Sequence, residues 1–169
     1  FRLLNELVSV KYWALKYAQA GFPVLPLHQG SKIPSTPSGW KDASLNSKII
    51  DAWYDNHPNW GVGLVVPKNM VILDVDGDEG MNSLRAFDYN VPTTLTCISG
   101  GKGYHFYYSL PDGLTLDKRR INLIKKVDLI VNGYVCAPPS IHPSGKPYIW
   151  QSDFNPDHIV EAPQWIIDI

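Results

Sequence analysis

The chain has 169 residues, 44% hydrophobic and 18% charged, with 15 basic against 16 acidic residues and a formal net charge of -1. That balance excludes a disordered, high-charge chain, which could not bury enough apolar surface to offset its ordering entropy. It also excludes a protein drawn to polyanions by its bulk charge, so any nucleic-acid contact has to be local.

At roughly 100 to 200 residues per domain the length predicts one domain, or two small lobes sharing a core. No apolar run approaches the roughly 20 residues of a membrane span, and Phe1 to Ala20 carries four charges, so neither anchor nor signal peptide is expected. Cys97 and Cys136 are too few and too far apart for a cysteine-based zinc site or a disulfide framework, which points to a reducing, cytoplasmic setting.

Leu3, Leu4, Leu7, Val8, Tyr12, Leu15 and Ala18 recur at helical spacing up to Gly21, a residue suited to a left-handed C-terminal cap. Phe22 to Leu27 then reads as a strand, followed by a long polar, Pro-rich loop from His28 to Ser44. Ile49, Ile50 and Trp53 mark a second helix that His57-Pro58 ends. Gly61 to Val66 and Val71 to Asp76 read as two strands of a hairpin, Met81 to Asp88 as a short helix, and Thr93 to Ile98 and Tyr104 to Tyr108 as strands. Val127 to Val131, Tyr134 to Pro138 and Tyr148 to Trp150 complete the predicted strands. Helices and strands mix without strict alternation, which favours an α+β fold with a mostly antiparallel sheet.

The sharpest chemical feature is the apolar strand Val71 to Val75, with acids at alternate positions, Asp74 and Asp76, on one face. Two such carboxylates repel unless a positive group stands between them, and hard divalent cations prefer oxygen ligands. The alternative is a strand running out into a solvated acidic turn. An EF-hand is excluded because the sixth and twelfth positions from Asp74 are Glu79 and Arg85 rather than Gly and Glu. A haloacid-dehalogenase-type nucleophile is disfavoured by the mid-chain position, by Asp78 after the glycine and by the lack of a late adjacent acidic pair.

Ser99, Gly100, Gly101, Lys102 and Gly103 lie between two predicted strands. Glycines let the backbone approach an anion, and Lys102 adds a point charge, so a triphosphate fits; a flexible hairpin turn fits equally well. The segment is not a Walker A loop. His105 follows this turn directly and can donate to a phosphate oxygen, against the alternative of a satisfied core histidine. Asp128, within the apolar strand Val127 to Val131, reads as a third metal or substrate ligand or else as an edge residue facing water. Lys118, Arg119, Arg120, Lys125 and Lys126 crowd five basic residues into nine positions, either a docking site for a nucleic-acid backbone or triphosphate or a solvated face. Ala137 to Gly145 reads as a rigid turn presenting Ser140 and His142 to a ligand, with Lys32 of the long loop near them or simply on the surface.

In order, Ala18 to Pro26, Lys32-Ile33-Pro34, Gly39-Trp40, Trp60-Gly61-Val62-Gly63, LDVDG at 73–77, SGGKGYHFYY at 99–108, VDLIVNGYVCAPPSIHPSG at 127–145 and Tyr148-Ile149-Trp150 resemble one family. It is the N-terminal primase-polymerase domain of bifunctional plasmid and phage replication proteins, in the archaeo-eukaryotic primase superfamily. The resemblance implies an RRM-like catalytic sheet (about 67–169) packed with a small N-terminal α/β unit (about 1–66), and a fused or partner helicase beyond this chain. It also implies a cytoplasmic setting in a prokaryotic host, with the gene on a plasmid, phage or integrated element.

Its three motifs fall on Asp74 and Asp76, on His105 and on Asp128. The implied activity is template-directed nucleotidyl transfer on single-stranded DNA template and primer from NTP or dNTP, without a membrane. Two Mg²⁺ or Mn²⁺ ions are expected on Asp74, Asp76 and Asp128, one activating the attacking 3′-hydroxyl and one gripping the triphosphate. His105, Lys102 and the 100 to 103 backbone would orient the phosphates, Lys32, Ser99, Ser140 and His142 would lie near the nucleotide, and Lys118 to Lys126 near the template. Two departures are visible. Gly103 offers no side chain where the second motif usually begins with a small or basic residue, and Leu129-Ile130-Val131-Asn132 brings no basic residue after Asp128.

Overall fold

The structure, a computed structural model, describes residues 9–117 and 120–169. The N-terminal part of the first predicted helix, with Leu3, Leu4, Leu7 and Val8, lies outside the described residues, as do Lys118 and Arg119. The fold is α+β with a large, mostly antiparallel sheet, as the sequence predicts. The chain divides into two compact units, one running to Val65 and including Tyr134–Tyr148, the other Val66–Gly133 with Ile149–Ile169. A single cut near residue 66 is therefore not what the chain adopts. Tyr134–Tyr148 returns to the first unit because its strand pairs there.

In the first unit, helix α1 (Val10–Gln19) begins where the Ser9 hydroxyl accepts from Tyr12 N. It ends at Gly21, whose φ of 91° is the left-handed conformation that glycine adopts at no steric cost. Helix α2 (Ser47–Asn56) is capped by the Asn46 side chain, which accepts from Lys48 N, and it stops before Pro58. The sheet orders β1 (Val24–Leu27), β2 (Gly61–Val65) and β8 (Tyr134–Ala137) as β1-β2-β8, with both pairings antiparallel. Pro26 has no N–H to give, which an edge strand tolerates. The long loop follows that edge, with Ser35 N donating to Pro26 O and Val24 and Ser44 exchanging backbone bonds. The sequence marked this loop as unusual in length; part of its work is to cover a sheet edge.

The glycines of the Trp60-Gly61-Val62-Gly63 segment answer to packing. A Cβ on Gly61 would stand 3.1 Å from Ser140 Oγ, and one on Gly63 would stand 3.3 Å from the Tyr134 ring. Ser140 is buried, and its hydroxyl accepts from Val62 N at 2.8 Å and donates to Val62 O at 3.0 Å. Ser140→Ala would strand both groups without a partner, at about 2–3 kcal/mol by the cost of unmade buried hydrogen bonds. A matching drop in the urea unfolding free energy is the expected result.

The second unit is a seven-stranded sheet. Its path is β6 (Arg120–Ile124), β7 (Val127–Ile130), β3 (Met70–Val75), β5 (Tyr104–Ser109), β4 (Thr96–Ile98) and β9 (Ile149–Trp150), with β10 (Val160–Glu161) pairing β5. Every pairing is antiparallel except β10 with β5. One face carries Val71, Leu73, Val75, Tyr108, Val127 and Leu129, which pack with Leu84 of α3 (Gly77–Ala86) and Ile166 of α4 (Gln164–Ile167) into the core. The opposite face carries Ile72, Asp74, His105, Tyr107 and Asp128.

Three expectations need correction. Gly61 to Val66 and Val71 to Asp76 do not form a hairpin. β2 and β3 belong to different sheets, since each is buried along most of its length and takes partners on both sides. Strand β6 lies in the basic segment, where the alternation Arg120-Ile121-Asn122-Leu123 was passed over in favour of the charge run around it. Helix α3 starts at Gly77 rather than Met81: Gly77, at φ 64°, turns the chain straight from strand into helix, and Asp78 and Glu79 in the first turn favour the helix dipole.

Candidate active site

Asp74 is the fifth residue of β3, the strand between β5 and β7. Its direct cross-strand partners are His105 on β5 and Asp128 on β7. His105 in turn faces Cys97 on β4, and Cys97 faces Trp150 on β9. Directly opposed residues share a face, so Asp128, Asp74, His105, Cys97 and Trp150 form one row across five strands. Cα atoms in such pairs are about 5 Å apart, which puts residues 128 and 74 within reach of common ligation. The next row, Ile130, Ile72 and Tyr107, is buried, so the polar row stands on an apolar floor.

The side chains differ in exposure. Asp74 retains 35% of its side-chain accessibility, while His105 keeps 9%, with its Nε2 3.5 Å from Asp74 Oδ1, an ion pair when the imidazole is protonated. Asp128 is half-buried, and its Oδ1 accepts from Asn122 N at 2.7 Å. That contact depends on an irregularity in β6. Register slips between Arg120 and Ile124, and Asn122 at φ 49° turns its N–H toward the acid. Asp128 is thus an interior-strand residue with a partner, not an edge residue facing water.

Asp76 lies just past β3 in extended conformation, at the N-cap of α3. It makes no side-chain capping bond; its exposed carboxylate faces Lys126 Nζ at 3.5 Å. Beside it, Lys125 pairs with Glu79, holding the Glu79 carboxyl below its ordinary range and the Lys125 ammonium above its own. Two members of the basic segment thus turn toward acids of α3, and Arg120 opens the exposed edge strand. Among the described residues no group of three His, Cys, Asp or Glu side chains is arranged to hold a metal ion. Asp128 and Asp76 are directed instead to Asn122 and Lys126.

The glycine-rich segment is the β4–β5 turn. Ser99 N donates to Gly103 O, Lys102 N to Ser99 O, and Gly103 N to Ser99 Oγ, with Lys102 at φ 70°. Gly103 is buried where a Cβ would lie 2.8 Å from Val75 O and 3.1 Å from Ser99 Oγ. The missing side chain at the head of the second motif therefore has a steric cause. Its N–H is spent within the turn, and Gly100, Gly101 and Lys102 remain at or near the surface.

Lys32, Ser140 and His142 belong to the first unit. Ser140 does not project: its hydroxyl is engaged by Val62. His142 Nδ1 accepts from Ser144 N at 3.0 Å, which places the proton of the neutral ring on Nε2. Partial burial, and secondarily the Lys32 ammonium, push its pKa below the usual value. An NMR titration is expected to give a midpoint below about 6.5. Lys32→Met should raise it only part of the way, since burial is the larger cause. The linked stability is present above about pH 6.5 and declines as pH falls, because the unfolded chain then binds the proton first.

Reasoning from sequence missed Asn122 and the pairing of Lys126 with Asp76. The first leaves no signal, since a backbone N–H carries none; the second was visible only as part of a basic run. A family model described as bifunctional DNA primase/polymerase, N-terminal (Prim-Pol), matches residues 14–165. No curated protein matches the chain.

Proposed function

The chain belongs to the bifunctional DNA primase/polymerase N-terminal family, and from that premise we propose that its carboxylate row performs template-directed nucleotidyl transfer. The observation that carries the reading is the register that sets Asp74 between His105 and Asp128, with Asp76 at the strand end. Three carboxylates form an all-oxygen donor set, which suits Mg²⁺ or Mn²⁺. Asp74 and Asp128 are directly opposed across the β3–β7 pair, which supports assigning them to one cation.

Bound there, divalent cations would lower the pKa of the attacking 3′-hydroxyl and offset charge on the triphosphate. The chain's own groups do the rest. Asp74, Asp76 and Asp128 supply the negative field. His105, fixed between Asp74 and Cys97 in the sheet, donates from Nε2 to a phosphate oxygen. Lys102 and the surface backbone of the β4–β5 turn orient the phosphates, and Ser99 shapes that turn. Within the first unit, Lys32 and the His142 Nε2–H are offered to anionic groups of substrate, with Ser140 holding the segment that carries His142. Arg120, with Lys118 and Arg119, meets the template backbone, while Lys125 is engaged by Glu79. Single-stranded DNA and NTP or dNTP are the substrates, and a helicase, fused or separate, is the expected partner.

Labelled nucleotide offered with primed and unprimed template, with and without Mg²⁺ or Mn²⁺, tests the reading. Template-dependent extension with pyrophosphate release supports it. Orthophosphate release without template would mark a phosphohydrolase, and binding without turnover a silent module.

A further inference from the structure

The tip of the β6–β7 hairpin is fastened to the start of α3. Asp76 N donates to Lys126 O at 2.9 Å, and the Lys126 ammonium reaches Asp76 Oδ2 at 3.5 Å. Lys126 takes φ 64°, a left-handed conformation uncommon for a residue with a side chain. Gly80 packs against the same carbonyl so closely that a Cβ would lie 2.6 Å from Lys126 O. The backbone on both sides is thereby held, and the lysine side chain is aimed at one carboxylate.

That carboxylate forgoes the capping bond an aspartate at an N-cap ordinarily makes. As a staple the ion pair is poor, since the two side chains are 47% and 64% exposed and exposed pairs contribute little to stability. As an exchangeable partner it is well placed. A single positive charge faces the acid, and a doubly charged ion at the same distance attracts those oxygens about twice as strongly.

We propose that Lys126 is the resident counter-ion of Asp76, competing with a divalent cation for that carboxylate and so setting how tightly the acid row binds the ion; this rests on reading the row as cation-binding. Lys125, engaged with Glu79, has no such role.

Isothermal titration of the whole chain with MnCl₂ alone tests this. Lys126→Asn, a residue that tolerates left-handed backbone, is expected to bind Mn²⁺ about three- to tenfold more tightly, the scale of removing one adjacent like charge near the surface. Lys126→Arg should bind as the wild type does, and Lys125→Asn should change affinity less than about twofold at the same scale. In an Asp76→Asn background, Lys126→Asn should add nothing. Urea unfolding of each variant confirms that it is folded, and Lys126→Gln replaces Lys126→Asn if the latter is not. Unchanged or weaker affinity in the folded neutral variant at position 126, or equal tightening by Lys125→Asn, overturns the proposal while Asp76-dependent binding in the wild type leaves the row reading intact. Mn²⁺ binding that ignores Asp74→Asn and Asp76→Asn alike overturns both.

Discussion

Asp74→Asn is expected to reduce primer extension by about a thousandfold or more while leaving the protein as stable as before. The size follows from the charge it removes. Electrostatic stabilisation by bound cations is worth several kcal/mol at a phosphoryl transition state, and about 4 kcal/mol corresponds to about a thousandfold in rate. Asparagine keeps the size and part of the hydrogen bonding, so the β3 ladder is undisturbed. Stability should hold or rise by up to about 1 kcal/mol, because Asp74 and Asp128 face each other directly and like charges in that position are unfavourable. Primer-extension rates and thermal melts, measured on the same preparation, separate loss of chemistry from loss of fold. A thousandfold loss with an unchanged melt is the expected pair of results. An active variant would remove Asp74 from the centre.

The second large effect is expected at Gly103. Its replacement by Ala drives a Cβ to 2.8 Å from Val75 O, a backbone atom of β3 that cannot step aside. Overpacking of this kind costs about 1–3 kcal/mol. The strain falls between Val75, which precedes Asp76, and His105 two residues downstream. Displacing reactive groups by about 1 Å is enough to cost on the order of a hundredfold in rate. Gly103→Ala is therefore expected to lower both the melting temperature and activity. Gly133→Ala, whose Cβ would meet nothing nearer than 3.8 Å, provides the tolerated comparison. If Gly103→Ala kept wild-type activity, the β4–β5 turn would not be part of the site's geometry.

Part of this arrangement is legible in the sequence itself. Alternation of acids in Val71 to Asp76 follows from strand period alone, and the helical spacing from Tyr12 to Ala18 follows from the 3.6-residue turn. What periodicity cannot express is which strands lie side by side. Gly61 to Val66 and Val71 to Asp76, near in sequence, read as a hairpin, yet β2 finds its neighbours in β1 and β8 and β3 in β5 and β7. The alignment of Asp128, Asp74 and His105 is a product of that long-range pairing. Arg120-Ile121-Asn122-Leu123 does alternate polar and apolar residues, but the basic residues flanking it drew attention to charge, and the bulge that satisfies Asp128 leaves no mark in the sequence. Ser140 misled in the opposite sense. A hydroxyl in a Pro-rich turn looks available, and only the fold shows it bonded to both backbone groups of Val62.

The central proposal is that Asp74 and Asp128, set opposite each other by the β3–β7 register, act with Asp76 at the strand end as one cation-binding centre. The most direct test is an amide NMR spectrum of the isotopically labelled chain during addition of substoichiometric Mn²⁺. Signals from residues 74–76, 105 and 128 should broaden first and together, and Asp74→Asn should abolish the effect. If the signals of His105 and Asp128 persist while others, around Asp42 or Asp157 for example, disappear, the acids do not form a common centre and the account is wrong.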